Sequence, residues 1–257
     1  AHGVGALAEA GGTAGRATVS MGDDPARETY VSRKKRDWEE VGIEGIHVDG
    51  DADAPATTLF ETIDELNDRD DVHGILVQLP VPAHVDRREV LRRIDPEKDV
   101  DGFHPENVGR LVAGDARYKP CTPHGVQKLL AAYDVETDGA DAVVIGRSDI
   151  VGKPMANLLV QKGPGGNATT TVCHSHTSDL EATLADADIV IVAAGIPEFV
   201  DGSMIKPGTT VIDVGINRVD ADTDRGYELV GDVAYDSTVG VAGGTKPVPP
   251  ACTVLSN

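Results

Sequence analysis

Tyr30 and Lys34 stand four residues apart in the stretch YVSRKKRDWEEVGI, so a helix over residues 28–41 places them on one face. The lysine is the group with chemistry to offer. It is protonated at neutral pH, and it serves as a base only where burial or a nearby cation lowers its pKa. The plain alternative is an exposed amphipathic contact. Lys35 and Arg36 face elsewhere and read as solvated partners of Asp37, Glu39 and Glu40, while Arg33 only partly shares the stripe. Gln78 ends the apolar run GILVQ and is followed by Leu79-Pro80. A polar amide at the end of a buried strand needs partners, and the carboxyl ends of such strands face ligands. It either caps a loop or touches what binds there. Asp99 and Asp101 lie in the short turn KDVDG. Aspartates in such turns commonly bond their own backbone; alternatively, one carboxylate accepts hydrogen bonds from a donor-rich heterocycle.

A second constellation is Gly146-Arg147-Ser148-Asp149-Ile150-Val151-Gly152, which follows the run DAVVI and precedes a helical segment. Strand, tight glycine-containing turn and helix N-terminus together make a phosphate-binding arrangement. The spacing is not GxGxxG: Ser148 stands where the second glycine would be, and the closing glycine comes one residue late. An ordinary loop with a surface arginine is the alternative. An NAD site usually ends the next strand in Asp or Glu, which binds the ribose hydroxyls. Here that strand ends Cys173-His174-Ser175-His176, with no acid. Arg147, Ser175 and one histidine can instead surround a 2′-phosphate, the arginine through two charge-assisted bonds. This favours NADP over NAD, a preference that high cellular salt weakens. His174 and His176 share a strand face, but no third ligand stands near them, so no metal site is assigned.

The elements that must position these groups alternate along the chain. In the second half, AVVI (142–145), TTTVC (169–173), IVIVA (189–193) and TVIDV (210–214) read as buried parallel strands. Helical segments 152–161 and 178–184 lie between them, with Ser178 as the expected N-cap of the latter. That order predicts a doubly wound α/β domain. In the first half, 17–21 and 74–78 read as strands and 28–41, 58–69 and 87–94 as helices. Pro- and Gly-rich turns around 105–118 and 120–122 separate the halves, and the boundary falls near Lys119.

Composition narrows the function. The chain has 257 residues and a formal net charge of −20, with 29 Asp, 14 Glu and 9 Lys. A diffuse, lysine-poor acidic surface repels nucleic acid, and one RKKR run does not offset it. The same surface suits a salt-rich cytoplasm, where screening weakens self-repulsion. No apolar run is long enough to span a membrane, and the first residues do not read as a secretory signal. Three widely spaced cysteines form neither a disulfide framework nor a metal motif, which fits a reducing, cytoplasmic location.

Taken together, GDDPARETYVSRKKRDWEEVGI, GILVQLPVP, PEKDVDGFHPENVGRL, PCTPHGV, VVIGRSDIVGKPMANLL, TTTVCHSHTSDL, ADIVIVAAGIP and TVIDVGINRV resemble one family. It is the bifunctional methylenetetrahydrofolate dehydrogenase/methenyltetrahydrofolate cyclohydrolase (FolD) family, and the segments run in its order from 22 to 232. The resemblance implies two α/β domains with a cleft between them. The first, 1–119, would bind folate and be completed by 245–257; the second, 120–244, would be a Rossmann-like doubly wound parallel sheet binding NADP. It implies that Lys34, Tyr30, Gln78 and Asp101 are catalytic, and that these residues with Leu79 bind a tetrahydrofolate derivative, Asp101 accepting from the pterin edge. Asp99 is then structural. Gly146, Arg147, Ser148, Ser175 and the backbone at Ile216 match the family's NADP positions, and the family assembles as a homodimer. A monofunctional dehydrogenase that does not use Lys34 or Gln78 is the alternative. The chain departs from the family at its end, where GGTKPVPPACTVLSN has Lys246 for a threonine and Pro250-Ala251 for two glycines.

Overall fold

The fold is that of a computed structural model, which describes residues 4, 7, 9–10, 12–22, 42–223, 226–242, 245–246 and 253–255. Tyr30, Lys34 and the helix expected over 28–41 lie outside the described residues. The chain divides into two compact units, Ala1–Lys119 and Pro120–Asn257.

The first unit is built on three parallel strands, β1 (Ala14–Met21), β2 (Ile43–Gly50) and β3 (Gly74–Val77), in the order β2-β1-β3. Helix α1 (Ala56–Asn67) makes the crossover from β2 to β3. Its Leu59, Ile63 and Leu66 recur at helical spacing and pack on Ala17, Val19, Ile75 and Val77, which alternate on the strands. Each of these large side chains contributes about 1.5–3 kcal/mol by leaving water. Helix α2 (Arg87–Arg93) closes the same core through Val90 and is capped by Asp86, whose carboxylate accepts from Arg88 N at 2.8 Å.

The stretch 105–122, expected as turns, is instead mostly helical: α3 spans Pro105–Ala113 and α4 spans Cys121–Ala132. The prolines and glycine that suggested loops are helix punctuation. Pro105 occupies the first turn of α3, where no backbone N–H is needed, and Gly114 ends it in the left-handed conformation at φ 82°. His104 caps its start through Nδ1, which accepts from Glu106 N at 3.1 Å.

In the second unit, β4 (Asp141–Ile145), β5 (Thr169–Cys173), β6 (Ile189–Val192) and β7 (Thr210–Asp213) form a parallel sheet in the order β5-β4-β6-β7. Chain order therefore reverses between β4 and β6, which is the switch point where such sheets bind ligands. β6 and β7 are buried along their full length and β4 from Ala142 on, as their unbroken β-branched runs required. β5 is the edge strand, and its threonines are largely exposed. Helix α5 (Gly152–Val160) follows β4, and α6 (Leu180–Ala185) follows β5. The N-cap of α6 is Asp179 and not Ser178, because the Asp179 carboxylate reaches Ala182 N at 2.9 Å. A mostly exposed hairpin, β8 (Asn217–Asp220) and β9 (Tyr227–Val230), and a short helix, α7 (Tyr235–Val239), were not anticipated. The two last strands, β10 (Thr245–Lys246) and β11 (Thr253–Leu255), pair antiparallel with each other, and β11 pairs antiparallel with β7. The segment expected to complete the first unit thus contributes strands to the second sheet.

Candidate active site

Gly146 leaves β4 at the switch point with φ 122°, a conformation that L side chains rarely adopt. A Cβ there would lie 2.3 Å from the carbonyl oxygen of Ala193, just past β6. Gly152, at the first position of α5, is as constrained: its Cβ would lie 2.1 Å from the Gly146 carbonyl oxygen. The late closing glycine is therefore where the helix N-terminus folds back against the start of the turn. Ser148 shapes this turn from within. Its Oγ accepts from Val151 N at 3.1 Å and its carbonyl from Lys153 N at 3.0 Å. Arg147 is exposed and makes no ion pair among the described residues. Ser148 thus takes the Val151, Gly152 and Lys153 N–H groups and Pro154 has none, so what the turn offers a phosphate is its tight glycine backbone and the uncommitted Arg147 guanidinium.

The loop after β5 lies alongside, since Gly146 N donates to Cys173 O at 2.9 Å. It is a compact turn in which His174 N donates to Thr177 Oγ1 at 2.9 Å and His176 N to His174 Nδ1 at 3.1 Å. Ser175 is left exposed at its tip. His174 and His176 have ring centroids 6.0 Å apart, and among the described residues no group of three or more potential ligands could hold a metal.

Two acids that the sequence reading passed over organise the loops after β6 and β7. Asp213 ends β7; burial pushes its carboxyl above the ordinary range, while N–H donation from Asp232, Gly215 and Val233 pulls it back. Asp232 is fully buried and accepts from the backbone of residues 194–196. An acid at the end of the buried strand TVIDV was the one signal available for Asp213. Ile216 lies on the loop between them and is 57% exposed.

In the first unit, Gln78 directly follows β3, its N–H donating to Val19 O at 2.8 Å. Its side-chain Nε2 donates to Leu79 O at 3.1 Å, but Oε1 is buried and has no hydrogen-bond partner among the described residues. A buried amide oxygen left unpaired is costly, and it is an acceptor available to an incoming donor. Leu79 and Pro80 are joined by a cis peptide.

The KDVDG turn is fastened to β3, because Ile75 N donates to Lys98 O at 2.7 Å. The Lys98 ammonium reaches back over the end of α1 and donates to Asn67 O at 2.6 Å and Arg69 O at 2.8 Å. Asp99 is buried and takes His104 N and Asn107 Nδ2, both at 2.8 Å. Asp101 follows, half-buried, on a turn that Gly102 completes at φ 70°. Asp99 is thus the structural carboxylate of the pair. Asp99→Ala leaves two buried donors short of a partner, and we expect it to cost about 2–4 kcal/mol in urea unfolding. Asp101→Ala, by contrast, should leave stability within about 1 kcal/mol in the same measurement.

Two family descriptions match this chain. "Tetrahydrofolate dehydrogenase/cyclohydrolase, catalytic domain" covers residues 2–101, and the same family's "NAD(P)-binding domain" covers 120–255. The bifunctional protein FolD 1 of the halophilic archaeon Haloarcula marismortui is 68% identical over 243 residues, which is 95% of this chain and 82% of the relative. The crystal structure of bifunctional FolD from Campylobacter jejuni superposes with a TM-score of 0.88 at 42% identity, over 97% of this chain and 86% of that one. That of FolD from Trypanosoma brucei, complexed with NADP cofactor and inhibitor, gives 0.89 at 37% identity, over 97% and 85%. These likenesses bear out the two α/β domains with a Rossmann-like second sheet, and the salt-adapted source read from the acidic composition. With both domain descriptions matched along its length, this chain belongs to the tetrahydrofolate dehydrogenase/cyclohydrolase family.

Proposed function

We propose that this chain oxidises 5,10-methylenetetrahydrofolate with NADP and hydrolyses the 5,10-methenyltetrahydrofolate so formed to 10-formyltetrahydrofolate. The observation that carries the dehydrogenase half is the tight turn 146–152 at the switch point, which only glycine at 146 and 152 allows, since added Cβ atoms would strike the Ala193 and Gly146 carbonyl oxygens. NADP, when bound, supplies the hydride acceptor. The turn that Gly146 and Gly152 keep tight would hold its diphosphate, with Arg147 and Ser175 gripping the 2′-phosphate from adjacent loops and Ser148 lining and shaping the turn. The backbone at Ile216 faces the nicotinamide end. Arg147→Ala should raise KM for NADP about 10- to 100-fold, the worth of a charge-assisted pair, and leave KM for NAD nearly unchanged. Steady-state kinetics with both cofactors check this.

The chain's own groups carry the hydrolysis. Lys34 positions the attacking water and moves a proton, a role that requires the lowered pKa a neighbouring cationic substrate favours. Tyr30 serves the folate as a contact residue. The unpartnered Oε1 of Gln78 supports this reading, since it is an acceptor suited to the lysine's N–H groups. Leu79 contacts the substrate, and the Asp101 carboxylate accepts the amino and ring N–H groups of the pterin. The chain works in the cytoplasm as a homodimer, a state supported by the family resemblance and checked by light scattering on the eluting peak. No helix among the described residues is long and apolar enough to cross a membrane.

The deciding experiment follows NADPH formation from methylenetetrahydrofolate and, separately, loss of methenyltetrahydrofolate absorbance without cofactor, at low and high KCl. Both reactions are expected. Reduction of NADP without hydrolysis would make the chain a monofunctional dehydrogenase, and activity with neither would overturn the reading.

A further inference from the structure

Asp232 sits where two loops from different strands meet. Its Oδ2 accepts from Ala194 N at 2.7 Å and Gly195 N at 2.8 Å, and its Oδ1 from Ile196 N at 3.1 Å and Asn217 Nδ2 at 2.8 Å. No lysine or arginine is among these partners. The charge is met by three successive backbone N–H groups and one side-chain amide, a nest that forms only if both loops hold one geometry. The packing leaves no slack. A Cβ on Gly215 would lie 2.2 Å from the Asp232 carboxyl, and one on Gly231 would lie 1.8 Å from Asp213 Oδ2. Backbone bonds staple the same region, Glu198 N to Gly231 O at 3.0 Å and Val200 N to Asp232 O at 3.1 Å.

Topology says what these loops serve. A dinucleotide lies across the carboxyl edge of a doubly wound sheet with its diphosphate at the switch-point turn. With the β4 turn taking the diphosphate and the β5 loop taking the 2′-phosphate, the other half of the cofactor falls over β6 and β7. Each of those strands sends out a loop tied to Asp232, and each loop presents an apolar side chain to solvent, Ile196 at 48% and Ile216 at 57% exposed. A flat ring bound there needs both loops fixed at once. We infer that Asp232 is a positioning residue for the nicotinamide half of the cofactor, acting through the backbone of 194–196 and through Asn217. This rests on the proposed NADP-binding role of the second unit.

The test compares two ligands that share one half. Asp232→Asn keeps the shape but turns an NH2 group toward N–H donors. Titrations of the whole chain should show NADPH affinity falling at least 10-fold, while 2′,5′-ADP, which lacks the nicotinamide half, binds within 2-fold of the parent. Asn217→Ala removes one donor of four and should weaken NADPH about 3-fold, again sparing 2′,5′-ADP; it carries the test if the aspartate variant does not fold. Equal losses for both ligands would reduce Asp232 to a structural role, and unchanged NADPH affinity would remove it from the site; either overturns the inference. Failure of the parent chain to bind either ligand would instead overturn the cofactor assignment beneath it.

Discussion

Replacing Lys34 with methionine should abolish hydrolysis of methenyltetrahydrofolate, lowering its rate about 10²- to 10⁴-fold, the range for loss of one positioned acid–base group. That corresponds to roughly 2.7–5.5 kcal/mol of activation free energy. Methionine keeps an unbranched apolar stem and removes only the amine, so the loss reports chemistry and not packing. Two controls make the result specific. NADPH affinity should be unchanged, because the cofactor groups belong to the unit Pro120–Asn257. Lys35→Met should have no effect, since the helical spacing expected over 28–41 would turn that residue away from Tyr30. Full retention of hydrolysis in the Lys34 variant would return the RKKR run to an ordinary solvated face.

The second large effect is expected at the glycines of the phosphate turn. In Gly152→Ala the new methyl meets the Gly146 carbonyl oxygen at 2.1 Å and Arg147 N at 2.8 Å, backbone atoms that cannot rotate away. In Gly146→Ala a left-handed φ is added to a 2.3 Å contact with Ala193 O. Either change must push the turn away from α5 or α5 away from the sheet. We expect about 2–4 kcal/mol of destabilisation, a fall of about 10 °C in Tm, and at least about 100-fold weaker NADPH binding. Gly109→Ala is the matched control. It lies within α3, its Cβ meets nothing within 4 Å, and it should be neutral or stabilise by up to about 1 kcal/mol. Wild-type NADPH affinity in Gly152→Ala would show that the turn does not hold the diphosphate.

The parts of this molecule that could be read from sequence are those with local causes. The runs AVVI, IVIVA and TVIDV announce buried parallel strands because β-branched residues on both faces have no other economical home. Gly146 was legible as the residue that turns the chain off β4. The helices α3 and α4 were missed because Pro105, Gly114 and Pro120, which look like loop residues in a list, are start and stop signals when placed against the helical stretch between them. The hairpin β8–β9 is short and mostly exposed, and its four-residue strands NRVD and YELV carry too brief a pattern to mark it. Asp232 was invisible for another reason. Its partners at 194–196 lie 36 to 38 residues away along the chain, and only the sheet order brings them together. Gln78 was singled out as an amide in need of a partner, and its unpaired Oε1 shows that the described residues do not supply one.

The clamp at Asp232 also bears on how such a protein keeps its affinity in brine. An attraction between exposed charges, such as that of Arg147 for a phosphate, dwindles as ions crowd around both partners, because the Debye length shrinks to about 3 Å at 1 M salt. Short hydrogen bonds from backbone dipoles to a carboxylate sealed from solvent offer no gap for an ion to enter. The scaffold under one half of the cofactor is therefore indifferent to ionic strength, whereas the grip on the other half is not. In a salt-rich cell the half resting on the Asp232 scaffold would carry the larger share of the binding.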